Sequence, residues 1–292
     1  MKKTFLLLGI VAMALGNMTS CSNILEEEGT IPASAKTGTL TVALEADNSV
    51  NVTTKADENT YTIPSSLYNV ENFTVKVIKE DNGTSTAVES LSGTYSSIKD
   101  KSETVAAGSY KLVAYNKEES AVKDFEWNVP YFSGTGTTTL KKNATATLSA
   151  ECKLQNSIIG IDFGDLLATD DDIEVVSLTA KADNVTDFEI YKDGAVVDNM
   201  DLSTKMVYAK AGIGAKLVLV VKSTKLNKEK TIETEIKGAD ETTNSAEKKY
   251  SVQYSFVEDG DGVLSIQISV NGTITVVTIP VSVDPYEDNT TN

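Results

Sequence analysis

From Gly38 onward, apolar and polar residues alternate with a period of two. In Thr39-Leu40-Thr41-Val42-Ala43-Leu44-Glu45-Ala46, Leu40, Val42 and Leu44 fall on one side and the threonines on the other. Successive side chains of a strand point to opposite faces, so this pattern predicts a strand with one buried face. The same texture predicts strands at 73–79, 110–115 and 144–148. In the second half it predicts strands at 158–163, 174–182, 188–191, 216–222, 231–236, 250–257, 263–270 and 273–283. Turns separate them at Asp81-Asn82-Gly83 and Ala107-Gly108-Ser109. Asp193-Gly194 and Asn271-Gly272 each sit between strands and suit type I′ hairpin turns, whose two central residues need positive φ. Pro280 cannot donate to a ladder, which places it on an edge or bulge. No long 3.6-residue periodicity follows the N-terminal leader. Many short strands at this spacing predict an all-β chain of two tandem antiparallel β-sandwich domains.

The first twenty residues have a different pattern. Lys2 and Lys3 precede an apolar run from Phe5 to Leu15, and small polar residues then lead to Cys21. This is the basic, apolar and small-residue order of an export signal. The run is too short to span a bilayer, which takes about 20 residues. Met18-Thr19-Ser20-Cys21 resembles the lipobox of bacterial lipoproteins, with Met18 where leucine is usual. The resemblance implies lipid on the Cys21 thiol and a cut before it, so that the partner of this end is a membrane. The alternative is an ordinary secreted protein with a cysteine near its cut. Residues 21–37 carry Glu26, Glu27 and Glu28 and read as a polar tether. The acidic patch resembles the signal that sends Bacteroidetes lipoproteins to the outer face of the outer membrane; a solvated spacer is the other reading.

Charge narrows the candidate partners. The formal net charge is −16, every positive charge is a lysine, and the chain has neither arginine nor histidine. Nucleic-acid binding needs clustered positive charge and is not expected. An anionic membrane surface would repel the chain, leaving a lipid as the means of attachment. With Cys21 lipidated, Cys152 is alone and no internal disulfide forms. It lies in the alternating run Leu148-Ser149-Ala150-Glu151-Cys152-Lys153-Leu154, as a small buried residue would.

The length after the leader suits two domains. The boundaries read as 1–20 signal peptide, 21–37 tether, 38–152 first sandwich, 153–284 second sandwich and 285–292 tail. Three features of the first half carry a resemblance: Pro130-Tyr131-Phe132-Ser133-Gly134 as an aromatic-glycine turn, the strand Ala144 to Leu148, and Cys152-Lys153-Leu154-Gln155-Asn156. With the early Gly38 to Val42 strand, they resemble a family of Bacteroidetes lipoproteins built around a domain of unknown function and similar to fimbrillins. The likeness covers about half the chain, through Phe163. It implies a transthyretin-like sandwich, a lipid anchor and a role in adhesion or pilus assembly, with other fimbrillin-like subunits, surface proteins or glycans as partners. It implies no catalytic residues. Pilins of the best-known group are matured by an arginine-specific protease that removes the first strand, and an incoming strand replaces it. Without arginine this chain would need another protease, at Lys36 or Lys55. Otherwise it keeps strand and lipid as an anchor, a terminator or a free-standing adhesin.

Candidate chemistry is sparse, and neither a cofactor nor a metal is expected. Asp170-Asp171-Asp172 and Asp259-Gly260-Asp261-Gly262 are the acidic runs, and the second lacks the distal glutamate of a calcium loop. Gly212-Ile213-Gly214 has no strand-to-helix context for cradling phosphate. No histidine is present to activate a serine or thiol. Carboxylate-based glycoside hydrolysis is a third reading, with no particular acidic pair singled out. Trp127, Tyr131 and Phe132 beside Pro130 are the ligand-contact candidates, able to stack on a sugar or anchor a protein contact. Packing inside the sandwich is their alternative role. The leading reading is a non-catalytic surface adhesin or pilus component; the runner-up is a glycan-binding lipoprotein beside a nutrient importer.

Overall fold

The alternating segments pair into three sheets, seen in a computed structural model that describes residues 36–53, 58–167, 173–183, 186–238, 241–258 and 264–279. Cys21 with its leader, the tether to Ala35, Lys55, the runs 170–172 and 259–262, Pro280 and the tail lie outside the described residues. The first half forms β1 (Thr37–Asp47), β2 (Ser49–Thr53), β3 (Glu58–Thr62), β4 (Thr74–Asp81), β5 (Thr84–Ala87), β6 (Gly93–Thr94), β7 (Ser102–Ala106), β8 (Gly108–Tyr115), β9 (Phe125–Trp127), β10 (Phe132–Leu140) and β11 (Thr145–Leu154). The second half forms β12 (Asn156–Asp162), β13 (Ile173–Lys181), β14 (Phe188–Lys192), β15 (Ala195–Val196), β16 (Val207–Lys210), β17 (Lys216–Ser223), β18 (Lys228–Glu235), β19 (Lys248–Glu258), β20 (Leu264–Val270) and β21 (Thr273–Thr278).

Sheet A runs β5-β4-β8-β10-β11-β1-β7, with β6 on β4. Sheet B runs β21-β20-β19-β12-β16-β9, with β2 on β19 and β3 on β2. Sheet C runs β15-β14-β13-β17-β18. The all-β, sandwich-type expectation holds. The sheets are mixed, however, because β1·β11, β12·β19 and β2·β19 are parallel. Parallel neighbours need a long crossover. Between β1 and β11 that crossover is most of the first half itself, a pairing that local alternation cannot reveal.

Turn chemistry follows the sequence closely. Asn82-Gly83, Asp193-Gly194 and Asn271-Gly272 hold φ of 45° and 84°, 51° and 83°, and 49° and 77°. These left-handed pairs close the β4–β5, β14–β15 and β20–β21 hairpins. By contrast, Ser133 and Gly134 belong to β10 and do not form the expected aromatic-glycine turn. The reason is close packing: a Cβ at Gly136 would lie 1.7 Å from the Ser149 carbonyl oxygen. Glycine lets β10 and β11 cross at a separation that no side chain permits.

Two cores result. The first gathers Leu40, Val42, Leu44, Phe73, Val75, Leu112, Phe132, Leu148 and Cys152, mostly from sheet A. Burial pushes the Cys152 thiol up to about 12, so it stays protonated. The second core lies between sheets B and C, with Ile161, Phe163, Leu178, Leu219, Val252 and Ile266. Strand β12 serves both: Ile158 enters the first, Ile159 and Ile161 the second. Strands β2, β3 and β9 precede residue 128 yet belong to sheet B, and β11 runs through the expected boundary at Cys152.

A loop before β19 is fastened by one carboxylate. Glu241 accepts from Gly238 N–H at 2.7 Å, Ser245 hydroxyl at 2.8 Å, Tyr250 hydroxyl at 2.8 Å and the Lys248 ammonium. Burial alone would raise its pKa, but these donors outweigh it and hold the carboxyl at about 2.

Candidate functional site

Strand β1 is the first described strand, and it occupies an interior position. It pairs in parallel with β11 from Thr39↔Thr145 to Asp47↔Lys153, and antiparallel with β7 from Thr37↔Ala106 to Thr41↔Ser102. Its inward residues Leu40, Val42 and Leu44 are buried in the first core. Its outward face is threonine-rich, and Thr41 and Thr147 hydroxyls meet at 3.1 Å. The Leu44 N–H donates to the Tyr95 hydroxyl at 3.2 Å. At the entrance, Ala107 N–H donates to Lys36 O at 2.7 Å and Asn143 N–H to Thr37 O at 2.8 Å. Lys36 itself is exposed.

The far end of β1 is tied down. Asp47 Oδ1 accepts the Ser49 N–H at 3.0 Å and also the Ser49 hydroxyl. These bonds lower the Asp47 pKa and shape the step into β2. Strand β2 then leaves sheet A and joins β19 of sheet B through Asn51↔Lys248 and Val52↔Lys249. The chain at Asn48 therefore passes from sheet A to sheet B, while Val50 stays in the first core.

The magnitude of β1 burial sets its importance. Three buried aliphatic side chains contribute roughly 5–9 kcal/mol at 1.5–3 kcal/mol each. Whole domains are stable by only about 5–15 kcal/mol. Withdrawing β1 would expose an apolar groove bounded by unpaired backbone groups of β11 and β7, which another strand of matching alternation could refill.

The three aromatic candidates do not form one surface. Trp127 lies in β9, pairs with Val207 of β16 and packs half-buried on the second core, its ring 5.5 Å from that of Phe188. Phe132 is fully buried in the first core, 4.9 Å from the Tyr68 ring and 6.1 Å from Phe73. Tyr131 is half-buried beside a cavity of about 200 Å³, with Asn156 and Lys210 also in its wall. Its N–H donates to Asn156 Oδ1 at 3.2 Å. Trp127 and Phe132 thus pack on different cores, as the packing alternative has it. Alternation sends Tyr131 and Phe132 to opposite sides, while β9 is recruited to the other sheet. The residues sequence reasoning missed here are Asn116 and Asn156, whose amides brace this segment; Asn116 Oδ1 accepts the Phe132 N–H at 2.8 Å. Polar residues flanking the Cys152 exit were the only signal.

A mixed-sheet, all-β protein whose first core is completed by its first described strand is the class these observations define. The chain belongs to the family described as "Domain of unknown function (DUF4493)", whose model matches residues 36–285. The match spans both halves, so the family likeness extends well past Phe163. Among solved structures, the chain is similar to a candidate cell-adhesion protein from Bacteroides eggerthii, with 9% identity, TM-score 0.41, and 86% of this chain and 98% of that one covered. It is also similar to a fimbrial assembly protein from Parabacteroides distasonis, with 8% identity, TM-score 0.41 and coverages of 83% and 98%. A third is the fimbrial anchor protein Mfa2 from Porphyromonas gingivalis, with 11% identity, TM-score 0.36 and coverages of 83% and 100%. These are distant likenesses. No curated protein matches. Among the described residues, no helix is long and apolar enough to cross a membrane.

Proposed function

We propose that this chain is a non-catalytic cell-surface lipoprotein, anchored to the outer membrane through Cys21, that acts as a fimbrillin-like adhesin or pilus anchor by protein contact and strand pairing. The position of β1 carries the reading. Directly after the polar tether, one strand fills an interior slot of sheet A through side chains and ladder bonds that a neighbouring subunit's strand could reproduce. The cysteine after the apolar leader supports attachment by lipid, and the acidic surface supports a protein held away from anionic headgroups. The two cores, which share strand β12, would serve as a stiff spacer. The dispersal of Trp127, Tyr131 and Phe132 gives the glycan-platform alternative no support.

The test is metabolic labelling in a native-type host. Labelled palmitate should enter the wild-type polypeptide and not Cys21→Ala, and surface-added protease should release the protein from intact cells. Subunit ladders that survive mild denaturant would mark a pilus component. Label-free protein, or protein shielded from added protease, would refute anchoring at the surface.

A further inference from the structure

Lys249, like Lys111, Lys205 and Lys222, is a partly buried lysine without an ion pair among the described residues, and of these four it is the one seated on an aromatic ring. Lys117 meets Glu126 at 2.6 Å, Lys216 meets Glu233 at 2.9 Å, and Lys248 meets Glu241. Among the described residues, Lys249 has no carboxylate within the 4.0 Å of an ion pair and no hydrogen bond. Its ammonium instead lies over the Tyr61 ring, 4.1 Å from the centroid. Burial pushes its pKa down. In a chain of net charge −16, a half-buried ammonium held only by an aromatic face is electrostatically under-compensated.

Lys249 also lines a cavity of about 550 Å³, whose wall includes Gly160, Met206, Gln253, Asp162 and Asp201. The volume is in the range of small-molecule sites. Gly160 keeps the space open: a Cβ there would lie 3.2 Å from Lys249 Cε and 3.3 Å from Met206 Sδ. The two aspartates are already oriented. Asp162 Oδ1 accepts the Gly164 N–H at 2.8 Å. Asp201 Oδ1 accepts Ser203 N–H at 2.9 Å and its hydroxyl at 2.7 Å. The wall therefore offers one cation without a counter-ion, together with carboxylate acceptors suited to hydroxyl donors. The two acids in the same wall repel a dianion such as phosphate more strongly than a monocarboxylate, which Lys249 attracts.

We propose that this cavity binds a small hydroxylated carboxylate of the sugar-acid class, with its carboxylate on Lys249 Nζ and its hydroxyls donating to Asp162 and Asp201. Tyr61 holds the lysine stem in place, and Met206 and Gly160 shape the opening. The site is independent of anchoring and of strand exchange, so its failure would leave the proposed function intact.

The experiment uses the whole mature chain with labelled lysine, titrated with glucuronate, glucose and inorganic phosphate. Glucuronate should shift the Lys249 Cε signal to saturation. Glucose and phosphate should bind at least about tenfold more weakly, a difference of about 1.4 kcal/mol. Lys249→Met keeps the stem on Tyr61 and should lose at least about tenfold in glucuronate affinity by calorimetry. Gly160→Ala should weaken binding with the lysine intact. Equal affinity for glucose and glucuronate, or unchanged binding by Lys249→Met, would overturn the assignment. So would an unmoved Lys249 signal in the wild-type chain, a readout that holds even where a variant does not fold.

Discussion

Strand β1 buries Leu40, Val42 and Leu44 between β11 and β7 of sheet A, whereas β21 ends the described order of sheet B with Ile274 58% and Val276 56% exposed. Thr39 to Ala46 and Thr273 to Ile279 are nonetheless similar strings of threonine and aliphatic residues. Alternation decides which side chains share a face; it does not decide whether anything covers that face. β1 is covered because β11, more than a hundred residues later, and β7 flank it. Among the described residues β21 is paired on one side only, by its hairpin partner β20. One strand completes a core, and the other is an open margin.

Substitution at matched positions is the sharpest way to break this comparison. Val42→Asp places an unpaired charge in the first core and should cost about 4 kcal/mol or more, measured by urea unfolding. A loss under about 1 kcal/mol would mean that β1 is not an integral part of that core. Gly136→Val tests how tightly β11, the partner of β1, is pressed against β10. Backbone must move to admit the side chain, and the expected loss is about 3 kcal/mol.

The second core also has a local fastening, the loop that Glu241 ties to Tyr250. Glu241→Gln should cost about 2 kcal/mol, because hydrogen bonds to a charged group are replaced by weaker ones. The folded carboxyl titrates at about 2, below the ordinary value of 4.5. Its contribution is complete above about pH 4.5 and is lost as pH falls toward 2, so the wild type and Glu241→Gln should converge in stability there. The smallest effect is expected at the edge. Val276→Asp should change stability by no more than about 0.5 kcal/mol, and a larger loss would show that β21 is covered in solution.

Much of the fold was legible from alternation and turn chemistry. The strands 216–222 and 263–270 match β17 and β20 to within a residue or so, and the three Asn/Asp-Gly turns take the left-handed backbone expected. The short strands β2, β3, β5, β6, β7, β9 and β16 were missed. Strand β9 has three residues, too few to show a period, and β2 alternates over only five, Ser49 to Thr53. β10 was read as a turn because its glycines, which serve close packing, look like turn residues. At the aromatic segment the residues singled out in the sequence do not share one surface. Trp127 and Phe132 are five positions apart, but one packs on each core. Lys249 was invisible in the sequence, because a lysine without a partner is defined only by what folds around it.

The central claim is that β1 is a separable strand that completes the first core. A chain beginning at Asn48 should have that core exposed, bind a hydrophobic dye and melt at a lower temperature than the full chain. Adding a synthetic peptide of residues 36–47 should restore the full-length melting temperature with one-to-one stoichiometry, and the same peptide carrying Val42→Asp should not. A shortened chain as stable as the full one, or indifferent to the peptide, would contradict the claim.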